Sequence, residues 1–413
     1  MRAQELLTKL QPMLDMTRAV ALLQRVVGCE SVTGNEAGVA GVLAGELQAL
    51  GAEGVTLRDF LPGRPNAWGR LPGKTGGPHI LLVGHTDTVH AKGWRERWAG
   101  TTRENPFGGA IVEGDLWGRG AADLKAGLCA AIGAARLLDR AGVPLAGPVT
   151  FAFVGDEESG ETGSGVSAGM RAFASLIEAG EVAKPDFAIY VEPTQLDVYV
   201  AQMGFFIADI TISGRSAYFG VPEQGVDALK AAHSVLSALW AHSAALEAGP
   251  EHSLIGRSFL LVTGINGGGY IAVPGECRLS LIRKLRPGES LDEARDALEA
   301  AIHGAPVDPA IAIAIAYPAG RDHAIGGTPT EVEPATPEVH RLMSCAAAGA
   351  PGRARALGAP FWSEAPFLTR LGVPTVYFAP GDIRICHTLE ERVSIDEYRG
   401  GILGLAAFLA GAE

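Results

Sequence analysis

The stretch Leu81-Leu82-Val83-Gly84-His85-Thr86-Asp87-Thr88-Val89-His90 begins as an apolar run and ends in polar side chains that include a His-x-Asp pair. A short apolar run that stops at a turn residue is typical of a buried strand. We therefore expect this strand to deliver the imidazole of His85 and the carboxylate of Asp87 to the edge of a sheet. Side chains able to complete a metal site around His85 follow later strands of the same kind.

Three later apolar runs also end at acidic or histidine residues. The predicted strands are residues 149–154, 187–191 and 373–378. The ionisable residues that follow them are Glu157, Glu158, Glu192 and His387. Helical periodicity is found at residues 14–28, 36–50 and 124–141. Strands that alternate with helices predict a largely parallel α/β sheet, in which ligands bind beyond the carboxyl ends of the strands.

The length of 413 residues predicts two domains, since single cores rarely grow so large. The middle of the chain changes character and has the β-α-β-β-α-β order of a ferredoxin-like domain. Its predicted elements are residues 205–213, 226–246, 259–263, 278–284, 291–302 and 310–317. We therefore expect a lid domain at 204–318, inserted into a catalytic domain made of 1–203 and 319–413.

The composition excludes several classes of protein. A net charge of -12 argues against a nucleic-acid partner, because nucleic-acid binders carry basic faces. No apolar run reaches the ~18 residues of a membrane span. The amino terminus has an amphipathic pattern that differs from a signal peptide, and the five cysteines have no paired spacing. These features predict a cytoplasmic protein with reduced thiols that acts on a small molecule.

The residues at the predicted strand ends have the chemistry of a two-metal site. The candidate ligands are His85, Asp123, Glu158, Glu192 and His387. Each of these residues alone is more often structural, but together they suit two divalent ions, and the donors admit zinc, manganese or cobalt. A carboxylate must still accept a proton from the attacking water, and Glu157 is the candidate base. Asp87 is expected to accept the second N–H of the His85 imidazole and so fix its tautomer.

Five segments together resemble the M20 metallopeptidase family, which includes acetylornithine deacetylase, succinyl-diaminopimelate desuccinylase and glutamate carboxypeptidase. The segments are Gly84-His85-Thr86-Asp87-Thr88-Val89, Gly118-Arg119-Gly120-Ala121-Ala122-Asp123-Leu124-Lys125-Ala126-Gly127, Asp156-Glu157-Glu158-Ser159-Gly160, Val191-Glu192-Pro193-Thr194, and Ala379-Pro380-Gly381-Asp382 with His387-Thr388. A further segment, Ser363-Glu364-Ala365-Pro366-Phe367, looks closer to the acetylornithine deacetylase branch than to the desuccinylase branch.

The resemblance implies a phosphorylase/hydrolase-like catalytic domain that binds two metal ions. Asp123 would bridge the ions, with His85 and Glu192 completing one set of ligands and Glu158 and His387 the other. Glu157 would act first as the base and then as the acid for the leaving nitrogen. Zinc is the expected metal. The resemblance also implies that the inserted domain is a lid, often used for dimerisation, so we expect a homodimer or a higher homo-oligomer.

The predicted substrate-binding residues are Arg283, Tyr218, Glu364 and Trp362. Arg283 falls at the family's substrate-carboxylate position, and arginine matches a carboxylate bidentately. An ordinary strand arginine is the alternative. Two positions depart from the family: Tyr218 replaces a histidine, and Ile271 replaces an asparagine. Rings at 218, 270 and 362 could line an aromatic pocket or merely pack.

These residues predict hydrolysis of a C–N (amide) bond in a small carboxylate-bearing substrate such as an N-acyl amino acid. The departures at Tyr218 and Ile271 keep a second reaction open, namely hydrolysis of a non-peptide C–N bond in an aromatic amine or a carbamoyl or ureido compound. A non-catalytic protein that retains metal is a third alternative. The presence of Glu157 argues against it, because a pure binding site need not keep a base.

Overall fold

A computed structural model of the protein describes residues 1–158 and 165–413. Ser159 and Gly160 of the acidic motif therefore lie outside the described residues. The strands are β1 (Glu53–Leu61), β2 (Arg64–Leu71), β3 (Ile80–His85), β4 (Ala110–Val112), β5 (Asp115–Trp117), β6 (Val149–Val154), β7 (Phe187–Tyr190), β8 (Val198–Gln202), β9 (Gly204–Ser213), β10 (Phe259–Gly267), β11 (Glu276–Leu285), β12 (Ala312–Ala316), β13 (Gly326–Gly327), β14 (Thr330–Glu331), β15 (Ala356–Ala359), β16 (Thr375–Tyr377) and β17 (Arg392–Ser394). The α-helices are α1 (Ala3–Leu10), α2 (Met16–Val27), α3 (Ala37–Ala49), α4 (Trp94–Arg97), α5 (Ala126–Ala141), α6 (Ala168–Glu178), α7 (Ala228–Glu247), α8 (Leu291–His303), α9 (Pro337–Gly349), α10 (Ala365–Thr369) and α11 (Ile395–Leu409).

The first compact unit comprises Met1–Val200, Val332–Leu357 and Phe367–Glu413. Its sheet has four parallel strands at the centre, in the order β6-β3-β7-β16. Strands β1 and β2 continue it on one side and β8 on the other, and all three join antiparallel. The sheet is thus mixed, and the predicted parallel pairing holds for its centre. Every residue of β3, β6 and β7 is buried, which explains their continuous apolar sequences.

Helix α5 begins at Ala126, two residues after the predicted start, because Asp123 and Leu124 have non-helical backbone angles. The peptide bond between these two residues is cis. The helix then packs closely against the residue that follows β7: a Cβ atom at Gly127 would lie 2.2 Å from the carbonyl oxygen of Val191. Glycine at 127 therefore lets the chain bring the Asp123 segment next to the carboxyl end of the sheet.

The second compact unit comprises Ala201–Glu331 and Gly358–Pro366. Its antiparallel sheet has the order β10-β11-β9-β12. Helices α7 and α8 bury Val235, Leu239 and Leu298 in one core with the inward-facing residues of the strands. The elements of this unit follow the predicted β-α-β-β-α-β order. The predicted segment 204–318 lies inside this unit, which also includes residues on both sides of it and the separate segment Gly358–Pro366.

Two further observations concern the chain as a whole. Among the helices of the described residues, none has both the length and the apolar character needed to cross a membrane. All five cysteines are free thiols.

Candidate metal centre

The polar side chains predicted to follow the strands lie at one edge of the first unit's sheet. His85 is the last residue of β3, Glu158 follows β6, and Glu192 follows β7. These three strands are parallel, so their carboxyl ends meet at the same edge. Asp123 comes from the non-helical segment before α5, and His387 from the chain that follows β16. The structure thus brings together all five side chains that the sequence singled out as candidate ligands.

Asp123 lies between the two histidines. Its Oδ1 atom is 3.0 Å from Nε2 of His85, and its Oδ2 atom is 3.1 Å from Nε2 of His387. Nε2 of His387 is also 2.9 Å from Oε1 of Glu158, and Nε2 of His85 is 3.9 Å from Oε1 of Glu192. The potential donor atoms therefore form two groups, each within 4.8 Å: His85 with Asp123 and Glu192, and Asp123 with Glu158 and His387. Asp123 belongs to both groups.

Glu157 lies beside these groups. A carboxylate oxygen of Glu157, one of Glu158 and a ring nitrogen of His85 are all within 4.8 Å of one another. The Glu157 side chain is partly exposed, whereas Glu158 and His85 are buried. Glu157 can therefore meet both the donor cluster and a small molecule that enters from solvent.

The position of Asp87 differs in detail from the prediction. Nδ1 of His85 donates to the main-chain carbonyl of Asp87 at 3.0 Å, while the nearer carboxylate oxygen is 3.7 Å away. The carboxylate instead accepts hydrogen bonds from the main-chain N–H groups of Glu157 and Glu158, at 3.2 and 2.9 Å. The tautomer of His85 is thus set by the backbone, and the Asp87 side chain holds the acidic loop. Burial raises the pKa of Asp87 to about 6.

The ionisation of the cluster reflects its concentrated negative charge. Burial lowers the pKa of His387, but hydrogen bonds with Asp123 and Glu158 outweigh burial and raise that pKa to about 11. For His85, burial acts in the same sense and contacts with Asp123 and neighbouring carboxylates again outweigh it, so its pKa lies well above the usual range. Burial would raise the pKa of Asp123, yet its two imidazole partners hold it below the usual range.

These donors fit divalent metal ions. Three buried carboxylates face two imidazoles, and a buried negative charge is stable only when a cation compensates it. In the protein alone, protons on the histidines supply that charge. A divalent cation would supply it instead and leave the imidazoles neutral, as ligation requires. Imidazole and carboxylate oxygen together are the donors that suit zinc, manganese and cobalt.

A second buried network of hydrogen bonds holds the acidic segment Asp156-Glu157-Glu158 at its first residue. Asp156 has a left-handed backbone conformation (φ 73°), and its carboxylate accepts hydrogen bonds from the main-chain N–H groups of Gly165, Val166 and Ala168. Arg64 donates to Asp156 at 2.7 Å and also pairs with Glu36, which is fully buried. This network is not predictable from the sequence, because neither Arg64 nor Glu36 lies in a recognisable motif.

Comparison with known proteins identifies the family of this chain. The model of peptidase family M20/M25/M40 matches residues 81–411, which include every candidate ligand. The chain belongs to this family. The predicted family is therefore confirmed.

Curated relatives of this M20 chain include two bacterial succinyl-diaminopimelate desuccinylases. The one from Methylobacterium nodulans is 33% identical over 245 residues, which are 56% of this chain and 57% of that protein. The one from Gluconobacter oxydans is 36% identical over 235 residues, 54% of this chain and 57% of that protein. The match thus spans little more than half the length of these relatives. Their name does not favour the deacetylase branch indicated by the segment at Ser363.

Solved structures share the fold over nearly the whole M20 chain. Aminopeptidase PepT from Bacillus cereus has a TM-score of 0.73 at 20% identity, with 96% of this chain and 99% of that chain covered. An M20 family metallo-carboxypeptidase from Sulfolobus solfataricus has a TM-score of 0.73 at 15% identity, covering 95% and 98%. An amidase of the hydantoinase/carbamoylase family from Burkholderia multivorans has a TM-score of 0.64 at 13% identity, covering 97% and 99%. At these identities the likeness shows the fold alone.

Arg283, which is predicted to bind the substrate carboxylate, is buried in the second unit. The side chain is 2% exposed and points to the same side of β11 as Leu281 and Leu285, which lie in the core. Its guanidinium donates to the main-chain carbonyl of Lys284 and to Glu289 Oε1, the latter at 2.9 Å. The alternation of β11 turns Arg283 inward, where it pairs with an internal carboxylate. Its role in substrate binding stays a prediction.

The other predicted substrate-binding residues also lie in the second unit. Tyr218 is 59% exposed and packs against Phe219, with ring centroids 4.6 Å apart. Trp362 packs edge-on against Phe205 at 5.8 Å. Tyr270 is fully exposed. Within the described part of this unit, the contacts of the rings at 218 and 362 are thus with different partners, and the predicted shared aromatic pocket receives no support. Glu364 is fully buried.

The two positions that depart from the family are neighbours in the structure. The N–H of Val273 donates to the carbonyl of Ala217 at 2.8 Å, and the N–H of Phe219 donates to the carbonyl of Ile271 at 3.3 Å. These bonds join the loop that carries Tyr218 to the loop that carries Ile271. The two replacements therefore change one local surface.

Proposed function

We propose that this protein is a metal-dependent hydrolase that breaks the C–N (amide) bond of a small carboxylate-bearing substrate, such as an N-acyl amino acid. The observation that carries the proposal is the position of Asp123, whose two carboxylate oxygens face His85 and His387 at 3.0 and 3.1 Å. One carboxylate shared by two groups of donors is the arrangement that two adjacent metal ions require.

We assign two sets of ligands. His85, Asp123 and Glu192 would hold one divalent ion, and Asp123, Glu158 and His387 would hold the other. We propose zinc in both sets; manganese and cobalt accept the same donors. Ions bound there would lower the pKa of a bound water to near neutrality and would polarise the carbonyl oxygen of the scissile bond.

The protein side chains then move the protons. We propose that the Glu157 carboxylate accepts a proton from the attacking water and returns it to the leaving nitrogen. Its partial exposure and its place beside His85 and Glu158 support this role. Asp87 fixes the main chain at Glu157 and Glu158 through its two hydrogen bonds, so it holds the base and the neighbouring ligand in fixed positions. The hydroxyl of Tyr218 is proposed to donate a hydrogen bond to the substrate oxygen in place of the family's histidine.

An assay that measures the primary amine released from the substrate tests this proposal. Purified protein would be stripped of metal with a chelator, reloaded with Zn²⁺, Mn²⁺ or Co²⁺, and assayed on N-succinyl and N-acetyl amino acids. The names of the bacterial relatives make N-succinyl amino acids the first choice. We expect activity to disappear on stripping and to return on reloading. Full activity in the stripped protein would contradict the proposal.

The exchange of two family residues on one surface, at Tyr218 and Ile271, favours a second candidate reaction. A hydrolase for a different C–N bond, in an aromatic amine or a carbamoyl or ureido compound, would place different demands on these positions. Parallel assays on N-acyl amino acids, N-acyl aromatic amines and ureido acids decide between the two. Tight ligand binding without turnover on any substrate would favour the non-catalytic alternative.

We further propose that the second unit forms a homodimer. Strand β10 stands at the end of its sheet and exposes Phe259, Leu261 and Ile265, which are 38%, 54% and 58% exposed. An apolar edge strand is a template for pairing with another strand. We expect Leu261→Lys to shift the mass measured by light scattering from dimer to monomer. A monomeric wild-type protein would contradict this.

The five free thiols support a cytoplasmic location.

A further inference from the structure

One buried ion pair joins two segments that carry proposed ligands. Arg119 and Glu391 lie 272 residues apart in sequence, and their side chains are 2% and 1% exposed. The Arg119 guanidinium donates to the Glu391 carboxylate and, at 3.0 Å, to the main-chain carbonyl of Thr388. Thr388 directly follows His387. The arginine is thus attached to the chain immediately beside one proposed ligand.

The other carboxylate oxygen of Glu391 holds the second segment. It accepts hydrogen bonds from the main-chain N–H groups of Ala122 and Asp123, at 3.3 and 3.2 Å. The N–H of Gly118 donates to the main-chain carbonyl of Glu391 at 3.2 Å, next to the point where β17 pairs antiparallel with β5. Glu391 therefore binds the backbone at Asp123, while its partner arginine binds the backbone at Thr388, the residue after His387.

The two proposed sets of ligands do not need this support equally. His85 ends a buried strand, and its side chain is 1% exposed. His387 lies in an irregular segment with a left-handed backbone (φ 63°), and its side chain is 51% exposed. A ligand in such a segment keeps its position only if other contacts hold the main chain. The ion pair supplies those contacts.

We propose that Arg119 and Glu391 are positioning residues that fix Asp123 relative to His387. They would act most strongly on the ion held by Asp123, Glu158 and His387, because Arg119 also holds the chain beside His387. The ion that Asp123 shares with His85 and Glu192 would be affected less. This inference rests on the proposed function. It assigns the pair no contact with substrate.

A Co²⁺ titration of metal-stripped protein tests the inference without relying on activity. Bound Co²⁺ would be followed by visible absorption and counted by elemental analysis after gel filtration. Glu391→Gln keeps the shape of the side chain and one acceptor oxygen, but it removes the charge that faces Arg119. Glu46→Gln is the matched control, because Glu46 also pairs with a partly buried arginine of the first unit, Arg136, and contacts none of the proposed ligands.

We expect the wild type and Glu46→Gln to bind two Co²⁺ ions. Glu391→Gln should bind the ion held with His387 about 10–100-fold more weakly, the usual effect of removing a partner that orients a ligand. The ion held with His85 should be weakened by a smaller factor. The kcat of Glu391→Gln on an N-acyl amino acid should fall while KM changes little. Arg119→Lys should behave similarly, because one ammonium group cannot bind the Glu391 carboxylate and the Thr388 carbonyl in the fixed geometry of a guanidinium.

Other outcomes overturn the inference. Two ions bound by Glu391→Gln with wild-type affinity would show that the pair does not position a ligand. Equal weakening of both ions would indicate a general loss of structure rather than positioning. If Glu391→Gln does not fold, the double variant Arg119→Met/Glu391→Gln removes both buried charges and is held to the same expectation. Wild-type protein that binds two ions but hydrolyses no amide would contradict the proposed reaction and leave the positioning intact. A wild type that binds no Co²⁺ would contradict both.

Discussion

The proposed metal ligands of the first unit and the substrate-side candidates of the second unit differ in how firmly the fold holds them. Four of the five proposed ligands, His85, Asp123, Glu158 and Glu192, have side chains that are at most 8% exposed, and the fifth, His387, is 51% exposed. Tyr218 and Ile271 are each 59% exposed. The buried group is held by hydrogen bonds to strand ends and buried ion pairs, whereas the exposed group lies on two loops joined to each other. Substitutions are therefore tolerated more easily at the exposed loops than at the four buried side chains.

The largest effect is expected at Asp123. Asp123→Asn replaces a shared carboxylate with an amide, which cannot balance the charge of two ions. We expect kcat/KM to fall by roughly 10³ or more, since the two ions would supply the activated water, and metal content to fall as well. Asp139→Asn, at an exposed position of α5, is the control. Unchanged activity in Asp123→Asn would remove the shared ligand from the account.

Glu157→Gln should separate metal binding from catalysis. The variant loses its proton acceptor but keeps both proposed ligand sets. We expect kcat to fall by about 10²–10⁴, the usual contribution of a general base, while elemental analysis finds the metal content of the wild type. Undiminished turnover would mean that another group accepts the proton.

Tyr218→Phe tests whether the exposed loops contribute to the reaction. If the hydroxyl holds the substrate oxygen, its loss should lower kcat by about 10² without changing the melting temperature. Tyr270→Phe is the matched control, because Tyr270 lies on the adjoining loop and is fully exposed. Equal rates in the two variants would exclude Tyr218 as the donor.

Arg283→Met separates a structural role from a substrate-binding role. Loss of the arginine leaves Glu289 partly buried without its cation, so we expect the free energy of unfolding to fall by about 3 kcal/mol, as measured by urea denaturation. Glu289→Gln should also destabilise the protein and leave KM unchanged. A raised KM with normal stability in Arg283→Met would restore the substrate-binding role.

The smallest expected effect is on the pH dependence of stability. Burial raises the pKa of Glu289, but bonds from Ser258, the Arg286 main chain and Arg283 outweigh it, so the pKa lies below the ordinary 4.5. The unfolded chain therefore binds the proton more readily, and the stabilisation is present above about pH 4.5 and is lost as the pH falls below it. Glu289→Gln should lose less stability than the wild type between pH 5 and about pH 3. An identical slope would contradict this contribution.

The sequence predicted the fold and the ligand cluster because both depend on local pattern. Buried strands such as β3 and β6 are continuous apolar runs. The carboxyl ends of parallel strands lie at the same edge of the sheet, whatever the exact bounds of the helices between them. The order of strands and helices in the second unit is likewise predicted by the periodicity of its apolar residues and by the spacing of the segments. Helix α5 began later than predicted, because the chain leaves helical geometry at Asp123 to present its carboxylate.

The features that the sequence does not predict depend on which partner a side chain contacts in the folded protein. Glu391 meets Arg119 across 272 residues, and no spacing rule connects them. Asp87 was placed correctly beside His85, yet its carboxylate turns to the acidic loop, because the main-chain carbonyl already takes the imidazole N–H. Likeness to the family predicts substrate binding for Arg283, and only the structure shows that alternation along β11 directs this side chain into the core.

Anomalous diffraction from crystals of the zinc-loaded protein tests the central claim most directly. The account predicts two peaks about 3.5–4 Å apart. One should lie among His85, Asp123 and Glu192, and the other among Asp123, Glu158 and His387, with one oxygen of Asp123 bound to each ion. A single peak, or peaks away from Asp123, would contradict the claim that this carboxylate joins two metal ions.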